Sequence, residues 1–146
     1  IVGDGPEHSA LQSLAIALGV SDRVIFVGSV AQEELFKYYS ASDVLVLASS
    51  REGWANVLLE SMACGTPVVA TNISGNSEVV TAPAAGQLTV ERSAESLAEA
   101  IGLLFARMPT REAVREYAEQ YTWKNTTDGQ LDLFREAIMA TNSSVA

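Results

Sequence analysis

The chain is short of cysteine, histidine, basic side chains and long apolar runs, and each shortage closes off a class of function. Its one cysteine, Cys64, excludes an internal disulfide and fits a reducing compartment. Its one histidine, His8, is expected to lie exposed on the helix that follows it, and no Cys/His/Asp cluster has ligand spacing, so no metal site is expected. Lys plus Arg number 9 against 18 for Asp plus Glu, a net charge of −9. That balance argues against nucleic acid or an anionic membrane as partner, because both select a basic face. A nucleotide is not excluded, since a small phosphate site needs only backbone donors and one or two cations. No apolar run approaches the roughly 20 residues that span a bilayer. The N-terminus has neither a basic region nor a cleavable signal.

What the chain does have is a repeating pattern. Its 146 residues, 48% hydrophobic, suit a single domain with a real core. Val24–Val27, Val44–Leu47 and Val68–Ala70 read as strands, with Ile1-Val2 and Gln87–Val90 as weaker ones. These runs are apolar throughout, as parallel strands covered on both faces require. Amphipathic helices separate them. Leu11, Leu14, Ala15 and Leu18 share one face, ended by Gly19, and Leu35, Phe36 and Tyr39 mark a second helix. A third runs from Ala55 to Cys64, and Ser77 to Val80 suggests a short fourth. Ser93 and Ser96 open a helix carrying Leu97, Ile101 and Leu104, and Pro109 restarts the pattern through Val114 and Tyr117. The last helix bears Trp123, Leu131, Phe134 and Ile138, and the polar tail from Thr141 to Ala146 is expected to fray. The fold class is therefore α/β, a doubly wound parallel Rossmann-like sheet.

The densest chemistry lies in residues 51–70, REGWANVLLESMACGTPVVA. Glu52 falls in a loop with Gly53, whereas Glu60 falls inside an apolar helix among Val57, Leu58, Leu59, Met62 and Cys64. Burying an unpaired charge is costly, so a carboxylate there needs a reason. Asn56, Glu60 and Cys64 share a face at four-residue spacing. That face begins at a helix N-terminus, whose free N–H groups and positive dipole end attract phosphate.

Two glutamates separated by seven residues, then a small-residue turn and Pro67-Val68-Val69, resemble the motif of the family 4 retaining glycosyltransferases (GT-B type, glycosyl transferases group 1). The likeness extends from Ile1 to about Ile138. It implies that residues 1–146 form the nucleotide-sugar-binding domain, the C-terminal half of a two-domain GT-B enzyme. The implied reaction is transfer of a sugar, hexose-like, from a nucleoside diphosphate donor to a hydroxyl acceptor with retention of configuration. Enzymes of this fold generally use no bound metal or other cofactor. The donor-binding set implied is Glu52, Gly53, Trp54, Ala55, Asn56 and Glu60. Glu60 accepts hydrogen bonds from the ribose hydroxyls, and Glu52, the catalytic candidate, lies near the transferred sugar. Ala55 stands where the family commonly has Gly or Pro and leaves a free N–H. Trp54 reads equally well as a core residue.

Weaker candidates flank this set. Gly75-Asn76-Ser77-Glu78 resembles the family's Gly-Gly-x-x-Glu turn, with Asn76 expected to tolerate the positive φ of the second Gly. Glu78 also suits a helix N-terminus for electrostatic reasons alone. Gly3 and Gly5 form a Gly-x-Gly turn also found in the family, but His8 stands where a dinucleotide fingerprint needs its third glycine, which removes a dehydrogenase. Arg51 reads as a solvated loop residue. Asp43 precedes its strand, which removes a phosphoreceiver.

Ile1-Val2-Gly3 reads as the end of a strand, with no initiator Met, so the chain is expected to be part of a longer polypeptide. The family's diphosphate-binding Arg and Lys, its first strand–helix unit and its acceptor-binding domain would lie upstream. Three expectations follow: a gap between Ile1-Val2 and Val44–Leu47 or a collapsed sheet, poor stability or self-association, and donor binding without turnover by the chain alone. The expected partners are a nucleotide sugar and a sugar, lipid-linked or other hydroxyl acceptor, and the expected location is cytoplasmic, including the inner membrane face. Two other readings remain at this point: a sugar-nucleotide epimerase or phosphorylase of the same fold, and a non-catalytic doubly wound binding module.

Overall fold

The computed structural model describes residues 1–143. The chain alternates helices and short strands: α1 (His8–Ala17), a 3-10 turn at Ser21–Arg23, α2 (Gln32–Ala41), β1 (Leu45–Leu47), α3 (Asn56–Ala63), β2 (Val68–Ala70), α4 (Asn76–Val79), β3 (Gly86–Leu88), α5 (Ala94–Ala106), α6 (Arg111–Ala118) and α7 (Trp123–Ser143). The strands form one parallel sheet in the order β1-β2-β3, with Val46 opposite Val69 and Val69 opposite Gln87. The α/β class expected from the apolar runs is the one observed.

Burial follows position in the sheet. Val68, Val69 and Ala70 lie on the middle strand and are fully buried, which explains a run with no polar alternation. One face of β2 packs with Leu58 and Met62 of α3 and Val114 and Tyr117 of α6; Val69 turns to the other face with Ala100 and Leu104 of α5. Local chemistry sets several helix starts. Ser93 Oγ accepts from Ser96 N–H at 3.1 Å and Thr110 Oγ1 from Ala113 N–H at 3.2 Å, each satisfying a first-turn donor. Deeper in, the Tyr117 hydroxyl donates to the Val79 carbonyl at 2.7 Å and fixes α6 beneath α4.

Several expectations need correction. Val24–Val27 is not a regular strand; it lies beside Ile1–Gly3, where Val27 N–H reaches the Ile1 carbonyl at 2.9 Å and Val2 bridges Gly28. The pairing stops at Gly3 and Gly28, both at positive φ, so it does not continue as a regular ladder. The apolar face assigned to α1 is mostly uncovered: Leu11, Leu14 and Leu18 are exposed and Ala15 alone among the four is buried. His8 is partly covered, edge-on to Phe26 at 5.3 Å. Asn76 carries no positive φ; Gly75 does (+87°), and Asn76 opens α4 with its side chain buried. Helix α7 continues through Ser143, and the part of the expected fray from residue 144 onward lies outside the described residues.

Ile1-Val2 does not pair with β1. Both segments instead line one cleft of about 680 Å³, where an opening was expected. No helix among the described residues is long and apolar enough to cross a membrane.

Candidate functional site

The site is built where β1 and β2 hand over to their loops, at the C-terminal edge of the sheet. Open α/β sheets bind ligands at that edge. Leu47 ends β1, and residues 48–55 lead into α3 at Asn56. Two contacts hold this loop against the loop after β2. Thr71 Oγ1 donates to the Ser49 carbonyl at 2.7 Å, with Thr71 itself braced by Asn76 Nδ2, which donates to its carbonyl at 3.0 Å. The second is steric. A Cβ on Gly75 would stand 2.7 Å from the Gly53 carbonyl oxygen and 3.0 Å from that of Glu52, so the two loops touch where only glycine fits. A Cβ on Gly53, by contrast, would meet no atom within 4 Å, and that residue faces open space.

The start of α3 is left uncapped. Ala55 occupies the N-cap with no side-chain acceptor. Among the described residues, the backbone N–H groups of Gly53, Trp54, Ala55 and Val57 have no hydrogen-bond acceptor. Free N–H groups at a helix N-terminus are the kind of donors that attract anions. The Ala55 side chain is buried in the core, so its part in a site is confined to the backbone.

Glu60 sits one turn further along α3, half-buried. Its Oε2 accepts from the Tyr39 hydroxyl at 3.0 Å and its Oε1 from Gln32 Nε2 at 3.2 Å, both from α2. Each oxygen keeps lone-pair capacity for a further donor. Burial first, then the hydrogen bond to Glu60 and its charge, push the Tyr39 phenol up to about 12. Glu60 lines a cleft of about 860 Å³ with Gln32, Trp54, Asn56, Tyr121 and Trp123. Trp54 is 46% exposed, and its ring centroid lies 6.2 Å from that of Tyr121. It is therefore a wall of the cleft rather than a core residue.

The other sequence candidates fall nearby or apart. Glu52 is half-buried, its Oε1 accepting from Ser49 Oγ at 2.6 Å, which fixes it in the same loop as the free N–H groups. Glu78 is exposed and closes the first turn of α4, accepting from Ser74 Oγ at 3.1 Å and Gly75 N–H at 3.4 Å. Gly75 acts as the buttress described above. Gly3 lines the cleft beside β1 rather than the one holding Glu60, and Gly5 N–H turns back to Asp4 Oδ1 at 2.8 Å. Arg51 is exposed. Sequence reasoning missed Gln32 and Tyr39, which orient Glu60; nothing local marks them, because they arrive from a different helix. No group of three His, Cys, Asp or Glu among the described residues could hold a metal ion.

The site belongs to an α/β fold with a parallel sheet, its uncapped helix N-terminus and positioned carboxylate gathered at the C-terminal edge. The comparisons narrow it. Residues 1–121 match the family model described as glycosyl transferases group 1, and the chain belongs to that family. It is 34% identical over 150 residues to a D-inositol 3-phosphate glycosyltransferase of Saccharomonospora viridis, covering 96% of this chain and 35% of that one. Among solved structures, it resembles the sucrose-phosphate synthase of Thermosynechococcus elongatus (TM-score 0.78, 32% identity), covering 95% of this chain and 38% of that one. It also resembles HepE of Anabaena in complex with UDP (TM-score 0.75, 27% identity), covering 93% of this chain and 40% of that one. These neighbours carry the GT-B glycosyltransferase architecture. The chain spans about a third of the length of the curated relatives it matches.

Proposed function

We propose that this chain is the donor-binding half of a retaining glycosyltransferase that moves a hexose from a nucleoside diphosphate sugar to a hydroxyl acceptor. The observation that carries the reading is the placement of Glu60 one turn beyond four free backbone N–H groups. Four residues of helix rise about 6 Å, the scale on which a ribose and its diphosphate extend. The vicinal ribose hydroxyls donate to Glu60, whose orientation Tyr39 and Gln32 hold. The diphosphate rests on the N–H groups of residues 53–55 and the dipole of α3.

In the reaction, the bond between the sugar's anomeric carbon and the diphosphate oxygen breaks. A bond to the acceptor oxygen forms on the same face, and the acceptor proton passes to the departing diphosphate oxygen. Negative charge develops on the leaving diphosphate, where donors already in place lower the barrier without reorganising. That stabilisation calls for no metal. Resemblance to the family adds an Arg and a Lys from outside these residues. Glu52, held by Ser49, lies beside the same N–H groups and so beside the transferred sugar. The binding of UDP by the Anabaena neighbour supports a nucleoside diphosphate as ligand.

Calorimetric titration of the chain with UDP and with UMP tests the reading. UDP should bind at least tenfold more tightly, because its second phosphate reaches the helix N-terminus. Equal affinities, or no binding of either, would remove the phosphate role from α3.

A further inference from the structure

Strand β3 is an edge of the sheet, and no described strand pairs with its outer side. Val68 N–H reaches the Ala85 carbonyl at 3.0 Å and Thr89 N–H the Ala70 carbonyl at 2.9 Å. Every second residue of a parallel strand serves a given neighbour, so residues 85, 87 and 89 bond to β2 and the backbones of Gly86 and Leu88 do not. The Leu88 carbonyl accepts instead from the side-chain amide of Gln87, at 3.2 Å. Among the described residues, the Leu88 N–H and both backbone groups of Gly86 have no partner.

This edge borders a groove of about 700 Å³. Leu103 and Leu104 of α5 line its other side, and Val80 and Pro83 add apolar surface from the segment between α4 and β3. Helix α5 starts beyond the end of β3, and its 13 residues rise about 20 Å. It therefore returns to the level at which β3 begins and leaves Arg107 there, with Gly86 and Arg107 bordering the same groove. Arg107 is exposed and forms no ion pair among the described residues. The chain has 18 acidic residues, yet none lines this groove, where Arg107 is the one charged side chain.

Free backbone groups at a strand edge, apolar walls and a cation at one end complement an extended peptide that carries a carboxylate. A helix has no free backbone groups to give the edge. A fatty carboxylate would satisfy Arg107 and leave the edge unbonded. We propose that the groove between β3 and α5 binds the C-terminal segment of a partner polypeptide, added to β3 as an antiparallel strand with its terminal carboxylate on Arg107. Antiparallel pairing is the more stable sense, and it is the sense that brings the end of the peptide to Gly86 and so to Arg107. Leu88 N–H donates to a peptide carbonyl, and a peptide N–H replaces the Gln87 amide on the Leu88 carbonyl. The groove shares no lining residue with the cleft that holds Glu60, and the inference does not rest on the nucleotide reading.

Fluorescence anisotropy on the 146-residue chain tests it. The probe is a synthetic peptide of about six alternating Val and Thr residues, labelled at its N-terminus and made both as the free acid and as the C-terminal amide. The acid should bind roughly tenfold more tightly than the amide, the scale of one charge-assisted hydrogen bond. Arg107→Gln should lower the acid to the affinity of the amide, leave the amide unchanged and keep the parent's circular dichroism spectrum. If that variant fails to fold, the comparison of acid with amide on the parent chain still decides. The acid should also slow hydrogen exchange at the Leu88 amide and leave Val46, at the opposite edge of the sheet, unchanged. No saturable binding, equal affinities for acid and amide, undiminished discrimination in Arg107→Gln, or protection at Val46 in place of Leu88 would overturn the proposal. So would protection of Leu88 by raising the protein concentration alone, which would make the occupant a second copy.

Discussion

The hydroxyl of Tyr39 donates to Oε2 of Glu60 at 3.0 Å, joining α2 to the helix that carries the central carboxylate of the site. A buried phenol beside a carboxylate resists ionisation, and Tyr39 is held neutral up to about 12 against an ordinary value of 10.0. Folding thus favours the protonated phenol. Its contribution to stability is fully present below pH 10 and is lost as pH rises through about 12. An NMR titration should place the Tyr39 midpoint near 12, and Glu60→Gln should bring it down toward 10.0 by removing the neighbouring charge. A midpoint unchanged in Glu60→Gln would mean that burial alone sets it.

Gly75 and Gly53 make opposite predictions although both are loop glycines beside the site. Gly75→Ala must place a Cβ at 2.7 Å from the Gly53 carbonyl with φ at +87°. It should cost about 1–3 kcal/mol in chemical denaturation and loosen the Glu52–Gly53 loop in hydrogen exchange. Gly53→Ala meets no atom within 4 Å and should change stability by no more than about 0.5 kcal/mol. If the loop touches the donor, Gly53→Ala should nonetheless weaken nucleoside diphosphate binding. Equal stability losses in the two variants would contradict this arrangement.

The two glutamates and the helix between them were legible because their evidence is local. The 3.6-residue spacing, the apolar Val57, Leu58, Leu59 and Met62 and the closing Gly65 all lie within one stretch. Strand β2 was equally plain, being buried on both faces. What the sequence did not show depends on contacts between distant segments. Gln32 and Tyr39 reach Glu60 across 28 and 21 residues. The Gly75 buttress exists because two loops converge, whereas the motif suggested a pair of positive-φ residues. Val24–Val27 has the composition of an inner strand, but composition cannot supply the second neighbour that would make it one.

Tyr117 tests the layer beneath the site. Its hydroxyl accepts from Thr81 N–H at 3.1 Å and donates to the Val79 carbonyl at 2.7 Å, closing the end of α4. Tyr117→Phe leaves the Thr81 donor without this partner while preserving the ring packing. The expected loss is about 1–2 kcal/mol, measured by urea unfolding, with donor affinity unchanged. A variant as stable as the parent would show that water or Tyr121 replaces the bond.

The central claim is that Glu60 receives the ribose hydroxyls, and one comparison tests it most directly: binding of UDP and of 2′,3′-dideoxy-UDP to the parent chain and to Glu60→Gln. Hydrogen bonds to a carboxylate contribute about 1.5–3 kcal/mol, so the parent should prefer UDP by roughly ten- to a hundredfold. Glu60→Gln should lower UDP affinity and erase most of that preference, with the dideoxy ligand bound about equally by both proteins. An undiminished preference in Glu60→Gln would contradict the account.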